Sequence, residues 1–264
     1  MTDPADVTLA DLVLALRHSH QRAAAAARSL DDTTLVAQSY ADEWTNAQVL
    51  SHLGSGAEIF ASFLSAGLAG QDPDWRNAGG PVWAVWDART AVEQRDAFVE
   101  ADAALVDALE AVTPEQAAAF SLSLWAGPIT LEDLARMRLG EHAVHAWDVE
   151  VALDPTAVVA QDAVALLVPG LHVVAGRAGK AQDPPFRVGL SSTDGGGDWV
   201  VDAGESVSLA PRAEGDAVDG EVSLPSEALL RLVYGRLDPA HTPAGVAESG
   251  TRGLEDLRRV FVGF

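Results

Sequence analysis

The stretch Arg138-Leu139-Gly140-Glu141-His142-Ala143-Val144-His145-Ala146-Trp147-Asp148 sets an acid, an imidazole and a second acid at positions i, i+4 and i+7. On a helix those three side chains project from one face. They interrupt an apolar stripe of Leu134, Met137, Val144, Val151 and Ala152, so the shared face reads as the inward one. Earlier in the chain, His52 falls on the stripe of Val49, Gly56 and Phe60 and brings a further imidazole toward the same interior. Buried polar groups cost free energy unless they are paired or bind a metal. Polar groups converging from two helices are one way to build a metal site in a bundle. The spacing fits an ion pair between Glu141 and His145 equally well, with Asp148 solvated, and periodicity alone leaves both readings open. His142 is turned about 100° from the sector of His145. With His18, His20, His172 and His241 it reads as a structural or surface histidine.

The elements that must hold these residues are helical up to about residue 155. Thr8 and Asp11 form a capping pair ahead of Leu9, Leu12, Val13, Leu16, His20 and Ala23, and Thr45 with Gln48 caps a helix carrying His52. A loop follows at Gly70 to Pro81. One helix is then expected from about Trp83 to Val112, and another from Thr130, as N-cap, to Leu153. Four long amphipathic helices make a bundle over residues 1–155. From 156 the pattern changes. A helical stretch, Thr156 to Ala178, precedes short β-like runs at 186–190, 199–201, 207–209 and 218–224, then helices from Pro225-Ser226 to Tyr234 and from Leu254 to Val262. The second domain, 156–264, is therefore expected to be α+β with an antiparallel sheet. Gly195-Gly196-Gly197 lacks the Lys-Ser/Thr of a phosphate loop and reads as a hairpin tip.

Composition narrows the chemistry. Among 264 residues there is no cysteine, so a metal would be held by His, Asp or Glu, and there is no thiolate nucleophile, disulfide or iron–sulfur cluster. The net charge of −22 argues against nucleic acid and anionic membrane surfaces. Residues 1–155 carry −16 and 156–264 carry −6, which directs any anionic ligand toward the second half. Met1-Thr2-Asp3-Pro4 has no basic or apolar leader region, and Ala163 to Ala175 is too short for a membrane span. The expectation is a cytoplasmic protein, monomer or homodimer.

The segment Asp42-Glu43-Trp44-Thr45-Asn46-Ala47-Gln48-Val49-Leu50-Ser51-His52-Leu53, followed by Arg138-x-x-Glu141-x-x-x-His145-x-x-Asp148, resembles the mycothiol-dependent maleylpyruvate isomerase family, itself similar to the DinB-like metal-binding bundles. The resemblance implies a divalent metal, usually zinc, on His52, Glu141 and His145, with an open position for water or thiol. It also implies a C-terminal domain similar to sterol-carrier proteins, matched more loosely by Asp216 to Leu224 and Leu229 to Arg236, with Tyr234 where many members have tryptophan. Mycothiol would be the second cofactor, since a cysteine-free enzyme must borrow its thiol. Two activities follow from the resemblance: cis–trans isomerisation of a small dicarboxylate, and S-transfer to an electrophile. Asp148 would orient His145 or Arg138. Arg236, singled out by the resemblance, would pair bidentately with a substrate carboxylate. A helix-end carboxylate and a surface helix cap are the plain alternatives for these two residues. At the level of function, the alternatives are a non-enzymatic metal-dependent protein that binds a small molecule or lipid or acts in regulation, and zinc hydrolysis without thiol.

Overall fold

The structure is a computed structural model that describes residues 7–124 and 127–263; the segment Met1–Pro4 lies outside the described residues. The chain divides into two compact units, Val7–Ala163 and a second from Val164 onward.

In the first unit, α1 (Leu9–Ser29), α3 (Asn46–Leu68), α5 (Ala91–Glu110) and α7 (Leu131–Glu150) are the long helices, with α2 (Asp32–Leu35), α4 (Gly79–Asp87) and α6 (Pro114–Ala119) between them. Contacts link α3 to α5 and α7, and α1 to α5 and α7, which closes the four into a bundle. The helix starts follow from local chemistry. Thr8 with Asp11, Thr45 with Gln48, Thr90 with Glu93, Thr113 with Gln116 and Thr130 with Asp133 all form reciprocal capping boxes. Each satisfies two backbone donors that a helix start leaves open, at about 1 kcal/mol for the cap. The single helix expected over 83–112 is two. The Thr90 box restarts the chain after α4. Helix α7 stops at Glu150 rather than Leu153. An antiparallel pair of short strands, β1 (Leu122–Leu124) and β2 (Gly127–Ile129), precedes it in addition to the expected elements.

The bundle core joins Ala23, Leu30, Leu35, Leu50, Leu53, Trp86, Phe98 and Val149. Large side chains of this kind each contribute about 1.5–3 kcal/mol on burial. Gly54 is required where it stands, because a Cβ there would lie 2.0 Å from the Trp86 ring. Trp86 itself is fully buried, so α4 is pinned to α3 through that contact.

Beyond the bundle, α8 (Gln161–Leu167) and α9 (Leu171–Ala178) replace the continuous helix expected over 156–178. A 3-10 turn at Val168–Gly170 separates them, as Pro169 has no N–H to continue the ladder. In the second unit the sheet runs in the order β5 (Val207–Pro211), β4 (Asp198–Ala203), β3 (Phe186–Ser192), β6 (Gly220–Leu224), β7 (Ala247–Gly250). It is mostly antiparallel as expected, with β3 and β6 parallel. Helix α9 packs on β5, α10 (Ser226–Val233) packs on α9, and α11 (Leu254–Val260) closes the chain. The glycine run is the tip of the β3–β4 hairpin, where Gly195 and Gly197 have φ of 89° and 95°. The fold class is thus a helical bundle followed by an α+β unit. No helix among the described residues is long and apolar enough to cross a membrane.

Candidate metal centre

Helix α3 presents His52 and helix α7 presents Glu141 and His145, one turn apart, to the same point. His52 Nε2 lies 3.3 Å from Glu141 Oε2, and His145 Nε2 lies 3.8 Å from the same oxygen. One ligand atom from each residue falls within 4.8 Å of the others. The two imidazole rings stand edge to face at 4.7 Å, and the Trp44 ring lies 4.9 Å from His52 and 6.0 Å from His145, forming an aromatic wall on one side.

The donor chemistry fits a divalent ion. His145 Nδ1–H donates to Asp148 Oδ2 at 2.8 Å, which fixes the tautomer and leaves the Nε2 lone pair turned toward Glu141. A buried carboxylate behind a ligating imidazole is the usual support of such a ligand. Crowding by its neighbours, which removes part of its water, would by itself raise the Glu141 carboxyl. The hydrogen bond from His52 and the charges of His145, His52 and Arg138 outweigh it and bring the carboxyl down to about 2. Glu141 is therefore ionised at neutral pH. Two imidazoles and one carboxylate form a three-ligand set of the kind that leaves a further position on zinc open.

The position of this set differs from the inward one expected. Side-chain exposure is 33% for His52, 46% for Glu141 and 13% for His145, so the group opens to solvent at one side of the bundle. The interior face of α7 belongs instead to Arg138 and to His142, the histidine whose spacing turns it away from the sector of His145. Most of the 20 residues of α7 are buried, and they lie all around the helix, so apolar periodicity could not select its inner face.

That inner face meets Asp102 of α5, which is completely buried. Its Oδ2 accepts from His20 Nδ1 at 2.7 Å and from His142 Nε2 at 2.8 Å, and its Oδ1 accepts from Arg138 Nη2 at 2.6 Å. Ser19 Oγ lies 2.8 Å from His142 Nδ1. Burial pushes the His142 pKa below its ordinary 6.5. The ring is then neutral, donating to Asp102 and accepting from Ser19. His20, Asp102 and His142 also satisfy the distances of a metal site. Here, however, the Arg138 guanidinium already compensates the one carboxylate, and a divalent ion would add two uncompensated charges to a fully buried cluster. The cluster is a charge-paired polar core, in which Arg138 Nε alone of its named groups lacks a hydrogen-bond partner. Asp102 interrupts the α5 stripe of Phe98, Leu105 and Leu109, and that interruption is the sequence signal by which it could have been found.

Of the remaining expected site residues, Asp148 is buried beneath His145. Arg236 lies in the second unit, 8% exposed, just past α10, where its Nη1 donates to the Tyr234 carbonyl at 2.7 Å. His18 pairs with Asp162, and His241 with Asp238.

The family described as "Mycothiol maleylpyruvate isomerase N-terminal domain" matches residues 16–150. Among solved structures, the chain is similar to a crystal structure of the mycothiol-dependent maleylpyruvate isomerase, with a TM-score of 0.70 and 16% identity, covering 96% of this chain and 98% of that one. A histidine-to-alanine mutant of the mycothiol-dependent maleylpyruvate isomerase gives the same score and coverage at 15% identity. At such identities the likeness concerns the fold. No curated protein matches the chain.

Proposed function

The chain belongs to the mycothiol maleylpyruvate isomerase family through its N-terminal domain, and from that premise we propose that it is a divalent-metal enzyme working with a low-molecular-weight thiol. The reaction we assign is cis–trans isomerisation of a small conjugated dicarboxylate, with S-transfer to an electrophile as the related outcome. The observation that carries the reading is the Asp148–His145 hydrogen bond. It presents the His145 Nε2 beside an ionised Glu141 and His52, in a chain without cysteine of its own.

When bound, the ion and the thiol together supply a sulfur nucleophile that is ionised near neutral pH. The residues of the chain do the rest. His52, Glu141 and His145 hold the ion, Glu141 cancelling one of its charges. Asp148 keeps the His145 ring from turning and its proton on Nδ1. Trp44 shields both imidazoles from water on one side.

The test is metal analysis on untagged protein, followed by X-ray absorption with and without mycothiol. About one divalent ion per chain is expected, gaining a sulfur neighbour when the thiol is added. A metal environment unchanged by saturating thiol would move the protein to a hydrolase or to a metal-dependent binding protein.

For the substrate carboxylate we propose Arg236. Arg236→Lys keeps the charge and loses the planar fork. Normal metal content with turnover on a carboxylate substrate lowered at least about tenfold is expected. Full activity of Arg236→Ala with metal retained would assign the guanidinium a purely structural role.

A further inference from the structure

We propose that Asp102, on a helix that contributes no ligand, is a positioning residue for the His52–Glu141–His145 centre and acts through Arg138. The proposal rests on the metal reading above and extends it to the buried core behind the site.

The centre draws its ligands from two helices, so its geometry depends on how α3 and α7 are held against each other. Beside the His52–Glu141 contact itself, the Arg138 side chain ties them at that level. Arg138 Nη2 of α7 donates at 2.8 Å to the backbone carbonyl of Leu53 on α3. Leu53 is the residue after His52, and Arg138 stands three residues before Glu141, so the tie joins the two ligand-bearing turns. α3 is built to receive it. At Gly56 a Cβ would lie 2.9 Å from Arg138 Nη1, and the Phe60 ring lies 5.8 Å from the guanidinium carbon.

A guanidinium bonded only to a carbonyl would be an uncompensated charge in the core, which is costly. Asp102 removes that cost. The same Nη2 that reaches Leu53 donates to Asp102 Oδ1 at 2.6 Å, so the carboxylate fixes both the charge and the direction of the arm. Asp102 is fixed in turn by His142 Nε2, on α7 next to Glu141, and by His20 Nδ1 on α1. Two of its three partners therefore stand on the helix that carries Glu141 and His145. The third, His20, touches neither ligand-bearing helix through this network, and that asymmetry separates positioning from simple core stability.

The experiment is a cobalt(II) titration of the full-length protein, reading affinity and visible absorption, with circular dichroism and Tm recorded on every variant. Wild type is expected to bind cobalt. Asp102→Asn and Arg138→Lys, each still folded, are expected to bind about 10–100-fold more weakly, the range seen when residues behind metal ligands are removed. Their absorption bands should differ from those of the wild type. His20→Gln should lower Tm yet leave affinity and spectrum as in the wild type. If Asp102→Asn does not fold, Arg138→Lys carries the decision.

Two folded variants with wild-type affinity and spectrum would overturn the proposal and leave the metal reading intact. So would a His20→Gln variant that loses affinity as much as they do. A wild-type protein that binds no cobalt would overturn the metal reading and this proposal together.

Discussion

His145→Ala is expected to lower divalent-metal affinity by at least about a thousandfold, on the order of 4 kcal/mol, and to abolish thiol-dependent turnover with it. The reason is the double role of one ring. In the proposed centre His145 would supply one ligand nitrogen, and it also accepts the support of the fully buried Asp148 through its Nδ1–H. Removing the ring takes away one of three ligands and leaves a carboxylate beneath the site without that partner. His52→Ala should lose metal similarly while keeping the Asp148 contact with His145. Metal content of the purified variants and zinc-dependent thermal shift are the measurements. Retention of one ion per chain in His145→Ala would remove the centre from the proposed mechanism.

Asp102→Ala is expected to destabilise the bundle by about 3–5 kcal/mol, because it strands the buried Arg138 charge and two imidazole donors. The same cluster sets a pH dependence. Burial lowers the folded pKa of His142 from 6.5, so below about pH 6.5 the unfolded chain takes up a proton that the folded chain refuses, and stability falls. For Asp102, burial acts upward, but the Arg138 charge and the hydrogen bonds from His142 and His20 hold it well below 3.8. Its contribution is present above 3.8 and is lost as the pH falls further. Both groups therefore make acid destabilising, in two separate windows. Melting curves should show a plateau above pH 7 and a decline between pH 6.5 and 5 of up to about 1.4 kcal/mol per pH unit for one proton. In His142→Gln that first decline should be absent. A wild-type Tm constant down to pH 5 would show that His142 is protonated in the folded core.

What the sequence by itself determined is local. Thr8, Thr45 and Thr130 mark helix starts because each side chain and its N3 partner satisfy backbone donors within four residues, and those starts stand in the structure. Thr90 and Glu93 carry the same signal inside the stretch read as one helix, and the signal outweighed the apolar periodicity. The strands at 186–192, 198–203, 207–211 and 220–224 were legible from alternation and flanking turns. Strand β7 was not, since all four of its residues are exposed and it owes its conformation to hydrogen bonds with β6. Glu141, His145 and Asp148 share a helix face by spacing alone, and the motif with His52 carried the family.

Tertiary structure alone decided which face of α7 is buried. Apolar residues surround that helix, so the choice fell to long-range partners. Asp102, distant in sequence from His20, Arg138 and His142, could stay ionised in the core only where all three donors converged. Pairing that buried charge turns Arg138 and His142 inward. Helix geometry then carries Glu141 and His145 round to the side where solvent, and a ligand, can reach them.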